Sequence, residues 1–155
     1  MLNVKTPYVK IFRRTYNIPF DFSGASAGQW VKIENGEAKL VEAADDLSSA
    51  NLRIVISRMP KDGNIYEGHD TVPGGTLTVI DDFGAAYVVD GVGALEAVEE
   101  GDWLTVSSTA EELGKLKTAE AGDQVVARCT KGSDSDEIKE VQIVSPFVLA
   151  ETSGS

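Results

Sequence analysis

Few side chains in this 155-residue sequence are equipped for covalent or metal chemistry. It holds one histidine, His69, and one cysteine, Cys129. A thiol nucleophile needs an adjacent base and a group to orient that base, and Cys129, His69 and Asp70 are the residues that could fill those roles. The flanking pattern argues against it. Val125, Ala127 and Cys129 fall on one face of a predicted strand and Gln124 and Arg128 on the other, which makes Cys129 a small core residue. His69 and Asp70 sit in a distant loop. One His and one Cys also leave a structural zinc site short of ligands. Three carboxylate pairs, Asp81-Asp82, Glu99-Glu100 and Glu111-Glu112, have the chemistry for acid and base work. No aromatic cleft flanks them, so they read as solvated faces. Ser133-Asp134-Ser135-Asp136-Glu137 offers hard oxygen ligands but lacks the glycine and spaced glutamate of a calcium loop, and reads as a charged hairpin tip. Gly91-Val92-Gly93 precedes neither a lysine nor a helix that could cradle a phosphate. The expectation is a non-enzymatic protein without cofactor or metal.

Charge is the feature that stands out. Asp and Glu total 25 against 14 Lys and Arg, a net charge of −11. Binding a duplex requires cations that displace counterions from phosphates, so the acidic body argues against nucleic acid as a partner. The distribution is uneven. Residues 1–33 carry Lys5, Lys10, Arg13, Arg14 and Lys32 against Asp21 alone, net +4, and the remaining 9 cations and 24 anions give −15. Tyr8, Phe12, Tyr16, Phe20, Phe22 and Trp30 are six of the eleven aromatics. Residues 1–27 therefore read as a basic, aromatic N-terminal arm on an acidic body.

The four-residue spacing of Tyr8, Phe12, Tyr16 and Phe20 matches a helix face. Pro7 and Pro19 bracket the stretch, however, and Val9, Ile11 and Thr15 favour extended chain. An extended arm laid across another surface accommodates the prolines, the aromatics and the cations together. Lys5, Tyr8, Lys10, Phe12, Arg13, Arg14, Tyr16 and Phe20 are its candidate interface residues, the aromatics to bury and the cations to pair with carboxylates. The surface they meet could be an acidic protein or the arm's own body. The N-terminus lacks the apolar stretch of a secretory signal, and no run of about 18 apolar residues follows. Synthesis in the cytoplasm, without a membrane partner, is the expectation.

The elements that would carry these residues are strands. Gln29–Glu34, the Asn35-Gly36 turn and Glu37–Val41 make a hairpin, since Asn-Gly supplies the positive φ angles of a tight two-residue turn. Asn51–Ser57, with Leu52, Ile54, Val55 and Ile56, reads as a strand buried on both faces. Thr76–Ile80, Ala86–Val89, Asp102–Ser107, Gln124–Cys129 and Glu140–Val144 bring the count to about eight short strands. Ser108–Glu111 fits a capping box, but Gly114 stops any helix after about one turn. Residues 28–149 form one β domain with a long loop over 58–75, followed by an acidic tail over 150–155. Pro146-Phe147-Val148-Leu149 shows no strand partner, so these residues pack on a neighbour or return to the core.

One internal repeat stands out. Residues 93–106 align with residues 114–127, matching Gly93 to Gly114, Leu95 to Leu116 and Gly101-Asp102 to Gly122-Asp123. In each copy a strand leaves a Gly-Asp turn, with Gly at positive φ and Asp bonding the amides that follow. Two copies suit a small barrel or sandwich rather than a solenoid.

The run from Gly74 to Val144 resembles the small β domains of tailed-bacteriophage capsid decoration proteins, the lambda-type cement or head-stabilising proteins. Gly114-Lys115-Leu116, Gly122-Asp123 with the strand after it, and Glu140-Val141-Gln142-Ile143 carry the resemblance, over roughly half of the chain. It implies an all-β, β-tulip-like barrel or sandwich with an extended N-terminal arm. It also implies a virion protein on the outer capsid surface that stabilises the mature shell by clamping adjacent coat subunits. The partners would be the major capsid protein and neighbouring copies of the chain, in trimers or dimers. A tail-tube or head–tail joining protein of a phage is the alternative, since small β barrels recur there.

Overall fold

The computed structural model describes residues 2–4, 13–17, 28–60, 75–83, 86–89, 98–132 and 140–150. Among them the chain is all-β, with strands β1 (Leu2–Val4), β2 (Arg13–Asn17), β3 (Trp30–Glu34), β4 (Glu37–Leu40), β5 (Leu52–Pro60), β6 (Gly75–Ile80), β7 (Ala86–Val89), β8 (Trp103–Val106), β9 (Leu116–Thr118), β10 (Gln124–Lys131) and β11 (Glu140–Val148). They form two sheets. One is an open antiparallel sheet in the order β1-β7-β11-β10-β8-β9. The other runs β4-β3-β5-β6-β2 and closes into a barrel where a single parallel pair, Asn17 with Glu37, joins its two edges.

Alternation along the barrel strands explains how the sheets combine. In β3, Trp30 packs outward between barrel and open sheet, while Val31 points into the barrel. In β5, Leu52 and Ile54 face outward and Val55 inward; in β6, Leu77 and Val79 face inward and Ile80 outward. The outward set meets Leu104, Val106, Leu116, Val126, Ala127, Cys129, Val141 and Ile143 of the open sheet in one core. The inward set, with Ala38 and the half-buried Tyr16, Ile33 and Leu40, fills the barrel. Ile54 and Val55 are both 0% exposed although adjacent, which requires cover on both faces. A cavity of about 10 Å³ at the inter-sheet seam is near the smallest volume that admits one water, so packing there is almost complete.

The eight predicted strands are all present. Three more, β1, β2 and β9, were not expected. β2 reads Arg-Arg-Thr-Tyr-Asn and shows one apolar side chain, so no alternating stripe marks it; it pairs antiparallel with β6 from Arg13↔Ile80 to Asn17↔Thr76. β1 pairs with β7. The described parts of the predicted arm are thus strands of the two sheets. β5 continues through Pro60, with Met59↔Thr76 and Pro60↔Gly75, so the predicted loop at 58 begins later. Pro60, lacking an N–H, is tolerated at a strand end. Residues 61–74 and 151–155 lie outside the described residues. Pro146-Phe147-Val148-Leu149 does have a partner: Val125↔Phe147 and Gln124↔Val148 extend β11 along β10. A bulge between Val125 and Ala127 breaks the expected alternation, placing Val126 beside Ala127 in the core while Val125 lies opposite Phe147.

Three turns share one bonding pattern. In Glu99–Asp102, Asp102 N donates to Glu99 O (3.1 Å) and Asp102 Oδ2 accepts from Glu99 N (2.8 Å). Glu120–Asp123 repeats this at 3.0 and 2.9 Å, and Glu42–Asp45 at 3.2 and 2.8 Å. The aspartate therefore bonds the amide three residues before it, not those after it. The third position has φ 96° at Gly101, 91° at Gly122 and 64° at Ala44. The two glycine turns also dock alike: Gly101 N donates to Cys129 O and Cys129 N to Asp102 O, as Gly122 N does to Leu149 O and Leu149 N to Asp123 O. Gly114 (φ +76°) has a second constraint, because a Cβ there would stand 2.9 Å from Trp30 O. Its carbonyl accepts from Trp30 N at 2.9 Å, tying the barrel to the 107–115 turn.

A side chain at positive φ is strained by about 1 kcal/mol. Ala44→Gly is therefore expected to raise unfolding free energy by roughly that amount and Gly122→Ala to lower it similarly, as read by urea denaturation. Gly114→Ala is expected to cost more than Gly122→Ala, because strain and a backbone clash combine.

Candidate functional site

The predicted interface residues separate into two groups. Lys5, Tyr8, Lys10, Phe12 and Phe20 lie outside the described residues, as do His69, Asp70, Gly91-Val92-Gly93 and Ser133–Glu137. Arg13, Arg14 and Tyr16 are in β2. Tyr16 packs on the barrel core, and Arg14 Nε lies 3.3 Å from Asp81 Oδ2. Asp81 also holds Arg53, with Nε 2.8 Å from Oδ1. Asp81 is thus no solvated carboxylate: two strands aim cations at it from the barrel rim, leaving its side chain 17% exposed. Arg53 in turn lies 5.4 Å from the ring centroid of the exposed Phe83. Cys129 is fully buried in the inter-sheet core, and burial pushes its thiol up, away from the reactive thiolate. Among the described residues no cluster of His, Cys, Asp or Glu could hold a metal ion, and no helix is long and apolar enough to cross a membrane.

The strongest candidate surface is the outer face of the open sheet. The register sets Arg128 opposite Trp103 on β8 and opposite Gln142 on β11. Phe147 stands edge-on to Trp103, with ring centroids 5.1 Å apart and planes at 88°. Arg128 lies over the same indole, Cζ 5.4 Å from its centroid. Val125, 0% exposed, lies opposite Phe147 in the register. Phe147 is 40% exposed, unusual for an aromatic held in a paired strand, while its neighbour Val148 lies opposite Gln124 and points to the other side of the sheet. Trp, Phe and Arg are residue types that carry interface energy when a partner covers them. The sequence reading missed this face because its members come from three strands, with Arg128 lying 25 positions after Trp103 and Phe147 a further 19 on, and only the pairing register assembles them.

A polar cleft of about 180 Å³ lies between the Glu42–Asp45 and Glu120–Asp123 turns, lined in part by Asp46, Ser48, Thr109 and Lys117. Its carboxylates are already committed to the fold. Asp46 accepts from Ser48 N and Oγ, Asp123 from Glu120 N, and Asp45 from Glu42 N and the Lys32 ammonium at 2.7 Å. Lys32 is only 9% exposed, on the outward face of β3, so its charge depends on Asp45 and the more distant Glu34 at 3.8 Å. Burial works against the charge of Asp45, yet Lys32 and the Glu42 amide outweigh it and hold the carboxyl below the usual range.

Asp45→Asn leaves a largely buried ammonium short of its counter-ion and is expected to destabilise the fold by about 2 kcal/mol at neutral pH. Because the folded carboxyl titrates below the unfolded one, that contribution is full above the ordinary carboxylate range and is lost as pH falls through the folded value. Urea denaturation of wild type and Asp45→Asn across acid pH should show the two stabilities converging at the acid end and separating at neutral pH.

No protein-family model matches this chain, and a search of curated proteins returned no match. The fold and the exposed aromatic–arginine face are what carry its functional reading.

Proposed function

We propose that this chain is a phage virion structural protein that binds the outer surface of the mature capsid and stabilises it by clamping adjacent coat subunits. The observation that carries this reading is the outer sheet face of Trp103, Arg128 and Phe147, a cluster of contacting aromatic and cationic side chains suited to meeting another protein. The resemblance to lambda-type decoration proteins supplies the kind of partner. Its segments fall on β9, β10 and β11, strands of the same sheet that presents this face. A ligand that binds the mature shell and not its dissociated subunits stabilises it by mass action, and repetition across many seams multiplies a modest contact.

Full-length protein added to mature, undecorated heads of the encoding phage is expected to bind saturably, on the order of hundreds of copies per particle. Phe147→Ala should weaken that binding about tenfold while leaving the fold intact. The full chain is required, since deleting the N-terminal residues would remove β2 from the barrel. Absence of binding by folded protein would overturn the decoration reading. Incorporation of only a few copies, confined to one vertex or the tail, would place the protein at the head–tail junction instead.

A further inference from the structure

Among the described residues, Arg128 is a cation held without a counter-ion on an acid-rich protein. Three arginines have described side chains, and two of them, Arg14 and Arg53, pair with Asp81. The third, Arg128, forms no ion pair or side-chain hydrogen bond among the described residues, although the chain carries a net charge of −11. It is also held in place. Its guanidinium lies 5.4 Å from the Trp103 ring centroid and passes beside Gly101, where a Cβ would stand 3.7 Å from Nη2. Phe147 meets the same indole edge-on. A guanidinium stacked on an aromatic face keeps its edge N–H donors free for a carboxylate, and the stacking lowers the entropy lost when one is bound.

We propose that this face docks an acidic segment of another protein, with a carboxylate on the edge of the Arg128 guanidinium and an apolar side chain against Phe147. The inference rests on reading the chain as a protein-binding module and not on the partner being a capsid. The charge pattern favours a peptide over a nucleic acid. A strand with a phosphate at every nucleotide meets the repulsion of the whole anionic surface, whereas a segment with a few carboxylates meets one oriented cation beside an exposed aromatic ring.

The test is an amide-resolved NMR titration of full-length protein with a short peptide alternating glutamate and leucine, beside a lysine–leucine peptide and a single-stranded oligonucleotide. The glutamate peptide is expected to shift amides centred on Trp103, Arg128 and Phe147, more weakly as salt rises. Arg128→Glu, with a dispersed spectrum that reports an intact fold, should lose about tenfold or more in affinity. Equal binding to Arg128→Glu, shifts centred elsewhere or absent, or tighter binding of the oligonucleotide to the same amides would overturn the proposal. Capsid binding and peptide binding are read separately, so failure of either one leaves the other result standing.

Discussion

Three barrel strands that must be covered on both faces set the rest of this structure. β3, β5 and β6 send alternate side chains into the barrel and into the seam with the open sheet, so Trp30 and Val31, Ile54 and Val55, and Val79 and Ile80 are adjacent pairs feeding different cores. Neither sheet can be taken away without uncovering one of those faces. Fully burying a side chain of this size contributes about 1.5–3 kcal/mol, so losing the seam would cost far more than the few kcal/mol by which domains are stable. The barrel in turn needs β2, which covers β6 and makes the single bridge to β4. This N-terminal strand, basic in sequence, therefore serves the fold.

The acidic residues are put to structural use in a similar way. Asp45, Asp102 and Asp123 each accept the amide three residues earlier, closing turns that begin with a glutamate. Asp81 gathers two arginines at the barrel rim, and Asp45 neutralises the nearly buried Lys32. Arg14 is well exposed, so its pairing with Asp81 contributes little beyond orientation; Lys32 is not, and its counter-ion is needed. Among the described residues, Arg128 on the outer sheet face is supported by an indole instead of an anion. A sheet whose inner face is committed to the seam has its outer face to offer, and there the register has grouped aromatic and cationic side chains.

Much of the fold was legible because its signals are local. Asn35-Gly36 announced a tight hairpin, and φ values of 52° and 78° match it. Adjacent apolar residues in β5 announced burial on both faces. The Gly-Asp turns were visible as a repeat, while the third, with Ala44 in the glycine position, was hidden because alanine gives no signal of positive φ. β2 and β9 were hidden for a different reason: one apolar residue in five, or a strand of three, shows no period.

Composition and local pattern by themselves determined that this chain is all-β, that Cys129 belongs to a core, and that tight turns sit at Asn35-Gly36, Gly101-Asp102 and Gly122-Asp123. Those properties depend on near neighbours along the chain: side-chain alternation, backbone freedom at glycine, and amide bonding by aspartate. Tertiary structure alone decided that Arg14 and Tyr16 serve the barrel, that Asp81 holds two arginines, and that Trp103, Arg128 and Phe147 share a face. Each depends on strand register, and a shift of one residue moves a side chain to the opposite side of its sheet.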